Sequence, residues 1–395
     1  MAGRQQPDPD FAQFDVFEGG PPRRISALVR LPAPLCPNVA SRVLLVILIG
    51  WAPLVALAYF ADRTLTPGSF QSFVRDVGTQ TRYLVAAPLM VLGWRHCARR
   101  LGSIALHFRV SGVLDNEDQP TFEEILRNAR RWVNSLWVEA AMLLAIYAVI
   151  LPISVMPPLA LLPAWAVVPG GGAFSYAGLW HLIFSLPLLL LLMLGWLWRI
   201  IVWTIVLSRI SRLRLNLIAA HPDQSAGLGF LCQSVRSFSI VGAALGSIAA
   251  GRFANVHLAG QATPFTDGLL VGGIALVSML IFVAPLAVFS SRLAHVWRQG
   301  SMIYGALATE LGAQFEQSWF ADARPVERQM LSEPDFSAAT DLYQVVSNVY
   351  AMRFVPVDVR SLIILLGATL APFVPAMFLS MPTEAVLTEL RGLFF

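Results

Sequence analysis

All 28 basic residues of this 395-residue chain are arginines, and they cluster between long apolar runs. Most of these runs approach the ~20 residues that a helix needs to cross ~30 Å of hydrocarbon. Seven runs can be delimited, at residues 43–60, 77–94, 132–151, 179–207, 237–260, 269–289 and 362–381. The pattern predicts an all-α, polytopic integral membrane protein with about seven transmembrane helices and a small helical cytoplasmic layer.

Composition agrees with a membrane protein. Hydrophobic residues make up 56% of the chain, charged residues 13%, and the mean hydropathy is +0.64, far from the balance of a soluble domain. The net charge of +4 does not indicate a nucleic-acid partner, because the arginines flank the apolar runs instead of lining one face of a soluble helix. The predicted partner is the lipid bilayer, and a homo-oligomer or another membrane protein remains an open alternative. The sequence indicates no cofactor and no metal site.

The arginines also predict an orientation. With seven spans, 22 of the 28 fall on one side of the membrane and five on the other, while Arg199 lies within a span. The positive-inside rule then places the N-terminus in the cytoplasm and the C-terminus outside. Arginine without lysine, together with abundant Ala, Leu and Gly, is typical of a GC-rich bacterial genome. We therefore expect the inner membrane of a bacterium.

The predicted organisation has four parts. They are a flexible cytoplasmic tail (1–40), six transmembrane helices (41–290), a cytoplasmic helical region (291–360), and a last transmembrane helix with an external amphipathic tail (361–395). Within the second part, residues 95–131 form a cytoplasmic helical loop. Residues 154–177 form an apolar external loop rich in Pro and Gly, which forbid a continuous helix. This loop is either a re-entrant segment along a pathway or a segment lying among the headgroups.

Two ionisable residues lie inside predicted spans. Glu139 is eight residues past Arg131, about 12 Å into the third span, and Arg199 is ten residues before Arg209, about 15 Å into the fourth. Charges at such depth need a partner or water, so antiparallel neighbours favour a Glu139–Arg199 pair. Alternatively, each side chain reaches the cytoplasmic interface separately, within a belt of tryptophans.

The second span is polar in its outer half. Its twelve most apolar residues are too short to cross alone, so the span must recruit residues 77–82. Thr79, Gln80 and Arg82 are therefore candidate residues lining a pathway. A thick interfacial region would explain the same pattern.

The loop after the fourth span holds a further candidate site. Arg212, Arg214, His221 and Asp223 could together bind an anionic group or respond to pH. The favoured alternative is structural, with Asp223 capping the helix that follows.

The fifth span carries small residues at helical spacing. Gly242, Gly246 and Ala250 form one row along which a neighbouring backbone can approach closely. Such a row predicts helix packing and carries no chemistry of its own.

A channel or transporter of unknown substrate is the first functional hypothesis, because polar faces, a broken loop and a proline-kinked last span suit a pathway. A non-transporting scaffold or assembly subunit is the main alternative, favoured by the small-residue row and the long cytoplasmic helices. A membrane-embedded enzyme comes third, since no carboxylate dyad, metal triad or nucleophile–base set can be recognised in the sequence.

Overall fold

The chain folds into a bundle of helices. A computed structural model describes residues 39–64, 66–155, 162–168, 173–320 and 334–380. Within these segments there is no strand, and the extended backbone forms just two isolated bridges, Leu114 with Leu215 and Val167 with Phe174. The prediction of an all-α fold is confirmed.

The described α-helices follow one another in chain order, with single turns of other helix types between some of them. They are α1 (Val39–Gly50), α2 (Ala52–Thr64), α3 (Ser69–Arg75), α4 (Val77–Thr81), α5 (Ala87–Val110), α6 (Gln119–Val133), α7 (Leu136–Val155), α8 (Tyr176–Trp180), α9 (Leu186–Ile210), α10 (Cys232–Leu258), α11 (Pro264–Val283), α12 (Ser290–Phe320), α13 (Pro334–Tyr350), α14 (Val359–Leu370) and α15 (Phe373–Ser380). The 3₁₀ turns are Asn116–Asp118, Ala164–Ala166, Gly229–Leu231 and Ala284–Phe289. Two π-helical turns, Arg82–Ala86 and His181–Ser185, connect α4 to α5 and α8 to α9.

Five helical segments of the described chain are long and apolar enough to cross a membrane: Val39–Thr64, Tyr176–Ile210, Gly229–Leu258, Pro264–Gln314 and Val359–Leu379. A sixth is obtained if the bent pair α6 and α7, which meet at 41°, counts as one span. The sequence predicted about seven. The difference is the second apolar run, whose helix from Val77 to Val110 is not among these segments. Its polar residues Thr79 to Arg82 lower the hydropathy of the run.

Helix α10 lies at the centre of the bundle and packs against α4, α5, α11, α14 and α15. Small residues allow its backbone to approach two of these neighbours closely. A Cβ added to Gly246 would overlap the carbonyl oxygen of Thr369 on α14, and one added to Gly251 would overlap Thr81 Oγ1 on α4. Gly242 faces the same residue of α14, with Thr369 Oγ1 2.6 Å from the Cβ position. Ala250 is also buried.

Several predicted features lie outside the described residues. They are residues 1–38 of the predicted flexible tail, residues 156–161 and 169–172 of the external loop, the predicted break around Pro325 and the predicted external tail after Ser380. The described part of the external loop includes Trp165, which is buried in the bundle.

Replacing Gly246 with alanine should lower the free energy of unfolding by about 1–3 kcal/mol, because the new methyl group meets backbone that cannot rotate away. Gly272→Ala is the matched control, since the Cβ position of this α11 glycine faces open space. The control should be neutral or slightly stabilising. Thermal unfolding of the purified variants in detergent checks both, and equal melting temperatures would contradict the contact between α10 and α14.

Candidate functional site

The carboxylate of Asp76 lies between α3 and α4 and is surrounded by hydrogen-bond donors. Thr79 donates twice, from its backbone N to Oδ1 at 3.0 Å and from its hydroxyl to Oδ2 at 2.8 Å. Asn255 Nδ2 donates to Oδ1 at 2.7 Å, and Trp165 Nε1 donates to Oδ2 at 3.0 Å. All four donors are neutral. Each carboxylate oxygen accepts two hydrogen bonds, so this anion is held in place without a direct cation.

Local sequence explains how these groups meet. Asp76 is the N-cap of α4, a position where a carboxylate accepts from free amides of the first turn. Gly78 follows in that turn, and a Cβ there would lie 2.8 Å from Asn255 Nδ2. The absence of a side chain therefore lets α10 deliver Asn255, whose Oδ1 accepts from Gly78 N at 3.2 Å. Ser175 Oγ donates to the carbonyl of Trp165 at 2.7 Å and fixes the segment that carries the indole.

The hydrogen bonds determine the ionisation of Asp76. Burial raises the pKa of this carboxyl group, but the hydrogen bonds from Asn255, Trp165 and Thr79 outweigh burial. The net effect is a pKa below the ordinary value for aspartate. Asp76 is therefore a fixed negative charge at neutral pH.

Tyr83 and His181 meet where the two π-helical turns face each other. Tyr83 Oη lies 3.2 Å from His181 Nδ1, and the two rings pack edge to face with centroids 5.9 Å apart. Tyr83 is fully buried, and its ring lies against Gly50 of α1. The His181 ring also packs edge to face against Trp165, with centroids 5.5 Å apart. Trp165 thus links Asp76 to the Tyr83–His181 pair.

The candidate pathway residues of the second span belong to the same region. Thr79 is buried and bonded to Asp76. Gln80 Oε1 accepts from Trp51 Nε1 at 2.6 Å, and Gln80 Nε2 donates to the Phe73 carbonyl at 2.9 Å. Arg82 is half-buried and begins the π-helical turn that holds Tyr83. That these residues line a pathway stays a prediction. We call the connected set the Asp76 network: Asp76, Thr79, Gln80, Tyr83, Trp165, His181 and Asn255.

The sequence analysis missed five members of the Asp76 network, namely Asp76, Tyr83, Trp165, His181 and Asn255. His181 carried a usable signal, because it is a titratable side chain in a stretch, residues 140–198, that otherwise lacks Asp, Glu, Lys and Arg. Asp76 carried a weaker signal, as an acidic residue directly before the most polar predicted span. No local pattern marks Asn255, whose partner Asp76 is 179 residues away in the chain.

Glu139 and Arg199 are both buried, with 6% and 4% of their surfaces exposed. The guanidinium carbon of Arg199 lies 3.9 Å from the Trp94 ring centroid and 5.5 Å from that of Trp196. Its Nη1 donates to the Gly195 carbonyl at 2.9 Å. Aromatic faces and a carbonyl thus stabilise this buried cation. The Glu139–Arg199 pair itself stays a prediction.

Two of the four candidate residues in the loop after α9 are brought together. His221 Nδ1 and Asp223 Oδ1 are 2.8 Å apart, whereas Arg214 forms an ion pair with Glu117 at 2.8 Å and Arg212 is exposed. Asp223 also accepts hydrogen bonds from three backbone amides, namely Ser225 N at 2.8 Å, Gly227 N at 3.1 Å and Gly229 N at 2.7 Å.

These bonds give Asp223 a structural part in the loop. Burial raises the pKa of the Asp223 carboxyl group, but the hydrogen bonds from the three amides and His221 lower the pKa by more than burial raises it. The net pKa lies below the ordinary value for aspartate. Gly229 begins the 3₁₀ turn that leads into α10, so one of these bonds reaches the first residue of that turn. The N-cap positions of the turn and of α10 are Leu228 and Leu231, and a capping role of Asp223 stays a prediction. Binding of an anionic group by this loop stays a prediction.

Replacing Asp76 with asparagine should lower the free energy of unfolding by about 1–3 kcal/mol, because an amide cannot accept from four donors. The pKa of Asp76 is lowered, so its stabilisation is fully present above the ordinary aspartate pKa and is lost as the pH falls through the lower, folded value. The difference between wild type and variant should therefore be constant from about pH 8 to about pH 5 and shrink below about pH 4. Unfolding in detergent measures it, with the exposed Glu310→Gln as control. Equal stability of Asp76→Asn and wild type would contradict the network.

Glu139→Gln and Arg199→Gln test the predicted pair. If the two charges interact, each single variant leaves a buried ion without its partner, and the double variant should recover part of the loss, with a coupling of about 1 kcal/mol or more. A double-mutant cycle on thermal stability in nanodiscs measures the coupling. A coupling near zero would remove the pair.

Comparisons add no assignment to this geometry. Within the described segments, no group of three or more His, Cys, Asp or Glu side chains is arranged to hold a metal ion. No protein-family model, no curated protein and no solved structure matches the chain. The chain is an α-helical membrane protein, and its function must be inferred from its own residues.

Proposed function

We propose that this chain is a transport protein of a bacterial inner membrane and that the Asp76 network is its proton-handling site. The observation that carries the proposal is the contact between Tyr83 and His181 at two facing π-helical turns. Such turns are rare and frequently occur at functional sites. Ionisable groups in membrane proteins are costly to bury and are a default indication of function.

Within the network, Asp76 and His181 have different parts. Asp76 accepts four hydrogen bonds, so its lone pairs are occupied and it acts as a fixed charge. His181 Nε2 has no hydrogen-bond partner among the described residues. His181 is therefore the member of the network with a ring nitrogen left over to bind a proton.

Tyr83 connects that proton to the interior of the bundle. In the neutral ring with hydrogen on Nε2, Nδ1 accepts from the Tyr83 hydroxyl. In the doubly protonated ring, Nδ1 donates to Tyr83 Oη, and the hydroxyl proton must turn toward another acceptor. Protonation of His181 thus reverses a hydrogen bond of a fully buried side chain. The arginine distribution supports an orientation in which this end of the bundle faces the outside, with the N-terminus cytoplasmic and the C-terminus external.

Proton flux in liposomes tests the proposal. Reconstituted wild type with a pH-sensitive dye in the lumen should move protons in response to a potassium diffusion potential, faster than protein-free liposomes. His181→Gln should reduce the flux to the protein-free level, because glutamine cannot titrate. His96→Gln is the matched control, since His96 is exposed on α5 at the opposite end of the bundle, and it should keep the wild-type flux.

A scaffold or assembly subunit is the second candidate. It is favoured by the backbone contact between Gly246 and Thr369 and by the exposed apolar side chains Met302, Ile303 and Tyr343 on α12 and α13. A scaffold predicts no flux above protein-free liposomes for the wild type and for both histidine variants. That result would contradict transport of protons and favour the scaffold.

A further inference from the structure

His257 and Asp267 connect the end of α10 to the start of α11. His257 lies in the last turn of α10 and Asp267 in the first turn of α11, across the short connection that follows Leu258. His257 Nε2 and Asp267 Oδ2 are 3.3 Å apart, and the two side chains are 22% and 31% exposed. Both residues are therefore close enough to water to exchange a proton. They are also buried enough that water screens their contact only in part.

The other ring nitrogen fixes the protonation state that this contact requires. His257 Nδ1 lies 3.0 Å from the Phe253 carbonyl oxygen, one turn earlier. A carbonyl can only accept, so Nδ1 must carry a hydrogen. In a neutral imidazole the second nitrogen then has none. Nε2 and the carboxylate oxygen would then both be acceptors, and no hydrogen bond could form between them. The contact becomes a hydrogen bond when one proton is shared between Nε2 and Oδ2.

Asp267 lies in the first turn of α11, where the helix dipole favours a negative charge, but among the described residues its side chain has no contact partner other than His257. Its Oδ1 is buried and has no hydrogen-bond partner within the described chain. This differs from Asp76, whose oxygens are saturated by neutral donors. A protonated imidazole adds a direct cation to this carboxylate, and His257 is the group in contact with it.

Other charges around this end of α10 are few. Helix α11 carries Asp267 as its one charged residue, and α15 carries none. From α4 and the π-helical turn beside it come Asp76, which is bound by Asn255, and Arg82. Arg252 on α10 itself is exposed. The charged groups of α5 and α14 lie toward the opposite end of α10, near the Arg236–Asp358 ion pair.

We propose that His257 and Asp267 form a proton-binding latch that ties α10 to α11 when occupied and releases them when empty. A proton from water binds between Nε2 and Oδ2 and returns to water on release. The contact is stable while the proton is bound and is lost when rising pH removes the proton. The proposal does not depend on transport. It adds a response to pH at the end of the helix that supplies Asn255 to Asp76.

Hydrogen exchange in nanodiscs tests the latch. The readout is the exchange of backbone amides in residues 256–268 at about pH 5.5 and about pH 8, toward the two ends of the pH range in which imidazoles generally change charge. The rates are corrected for the intrinsic pH dependence of exchange. In the wild type these amides should exchange about two- to fivefold faster at the higher pH, the factor expected for one partly exposed ion pair.

Asp267→Asn should remove the pH dependence of exchange, because asparagine can bond to His257 without an added proton. The asparagine amide can donate to the bare Nε2 without any added proton, so exchange should stay slow at both pH values. His257→Gln should also remove the pH dependence, because glutamine does not titrate. His295→Gln is the matched control, since His295 is exposed on α12, away from this connection, and it should keep the wild-type response.

Two results would overturn the latch. One is an exchange result: the corrected exchange of the wild-type segment is the same at both pH values, or the segment in Asp267→Asn still exchanges faster at the higher pH. The other needs no variant and so does not depend on folding of the mutants. Nitrogen NMR of the His257 ring in the wild type at about pH 5.5 should show hydrogen on both ring nitrogens, and a neutral ring with a bare Nε2 whose Asp267 neighbour is ionised contradicts the proposal.

Discussion

Helix α10 meets α4 and α14 at glycines that let the neighbouring helices come close. Gly246 leaves room for the Thr369 carbonyl, and Gly251 leaves room for Thr81. Without a hydrophobic effect between helices in lipid, close backbone packing of this kind is a main source of cohesion. The position of α10 then determines everything attached to it. Asn255 reaches Asp76, Arg236 reaches Asp358 and Ser361, and His257 reaches Asp267. The polar contacts therefore depend on the packing of α10, because a shift of this helix would separate all of these groups at once.

The bundle stabilises buried charge in two different ways. Asp76 is surrounded by neutral dipoles from Thr79, Asn255 and Trp165, which leave the carboxylate ionised and immobile. Arg199 instead lies over the faces of Trp94 and Trp196. A planar, weakly hydrated guanidinium suits aromatic faces, whereas a carboxylate needs donors in its own plane. Both arrangements place tryptophan beside a charge, once as a hydrogen-bond donor and once as a π surface.

Sequence patterns predicted what depends on local order. The arginine spacing and apolar runs predicted a polytopic helical protein, and the row of small residues Gly242, Gly246 and Ala250 predicted where backbones could approach. The polar residues Thr79 and Gln80 were also recognised as unusual. The Asp76 network as a whole could not be predicted, because Asn255 and Trp165 are joined to Asp76 across long stretches of chain. Nor could the number of apolar spans, because the helix from Val77 to Val110 combines a polar first part with an apolar middle. Substrate and oligomeric state leave no comparable trace in local order.

The π-helical turn Arg82–Ala86 also changes how the helix from Val77 to Val110 must be drawn. Such a turn contains one residue more than a regular helix would hold over the same rise. Everything beyond it is therefore rotated by about 100° relative to an uninterrupted helix. A helical wheel drawn through the whole segment with a single period assigns its two halves to the wrong sides of the same axis. Thr79 and Met90 both face the protein interior, although the phase of the helix changes between them. The extra residue thus sets the angular offset between the polar face near Asp76 and the apolar face deeper in the bundle.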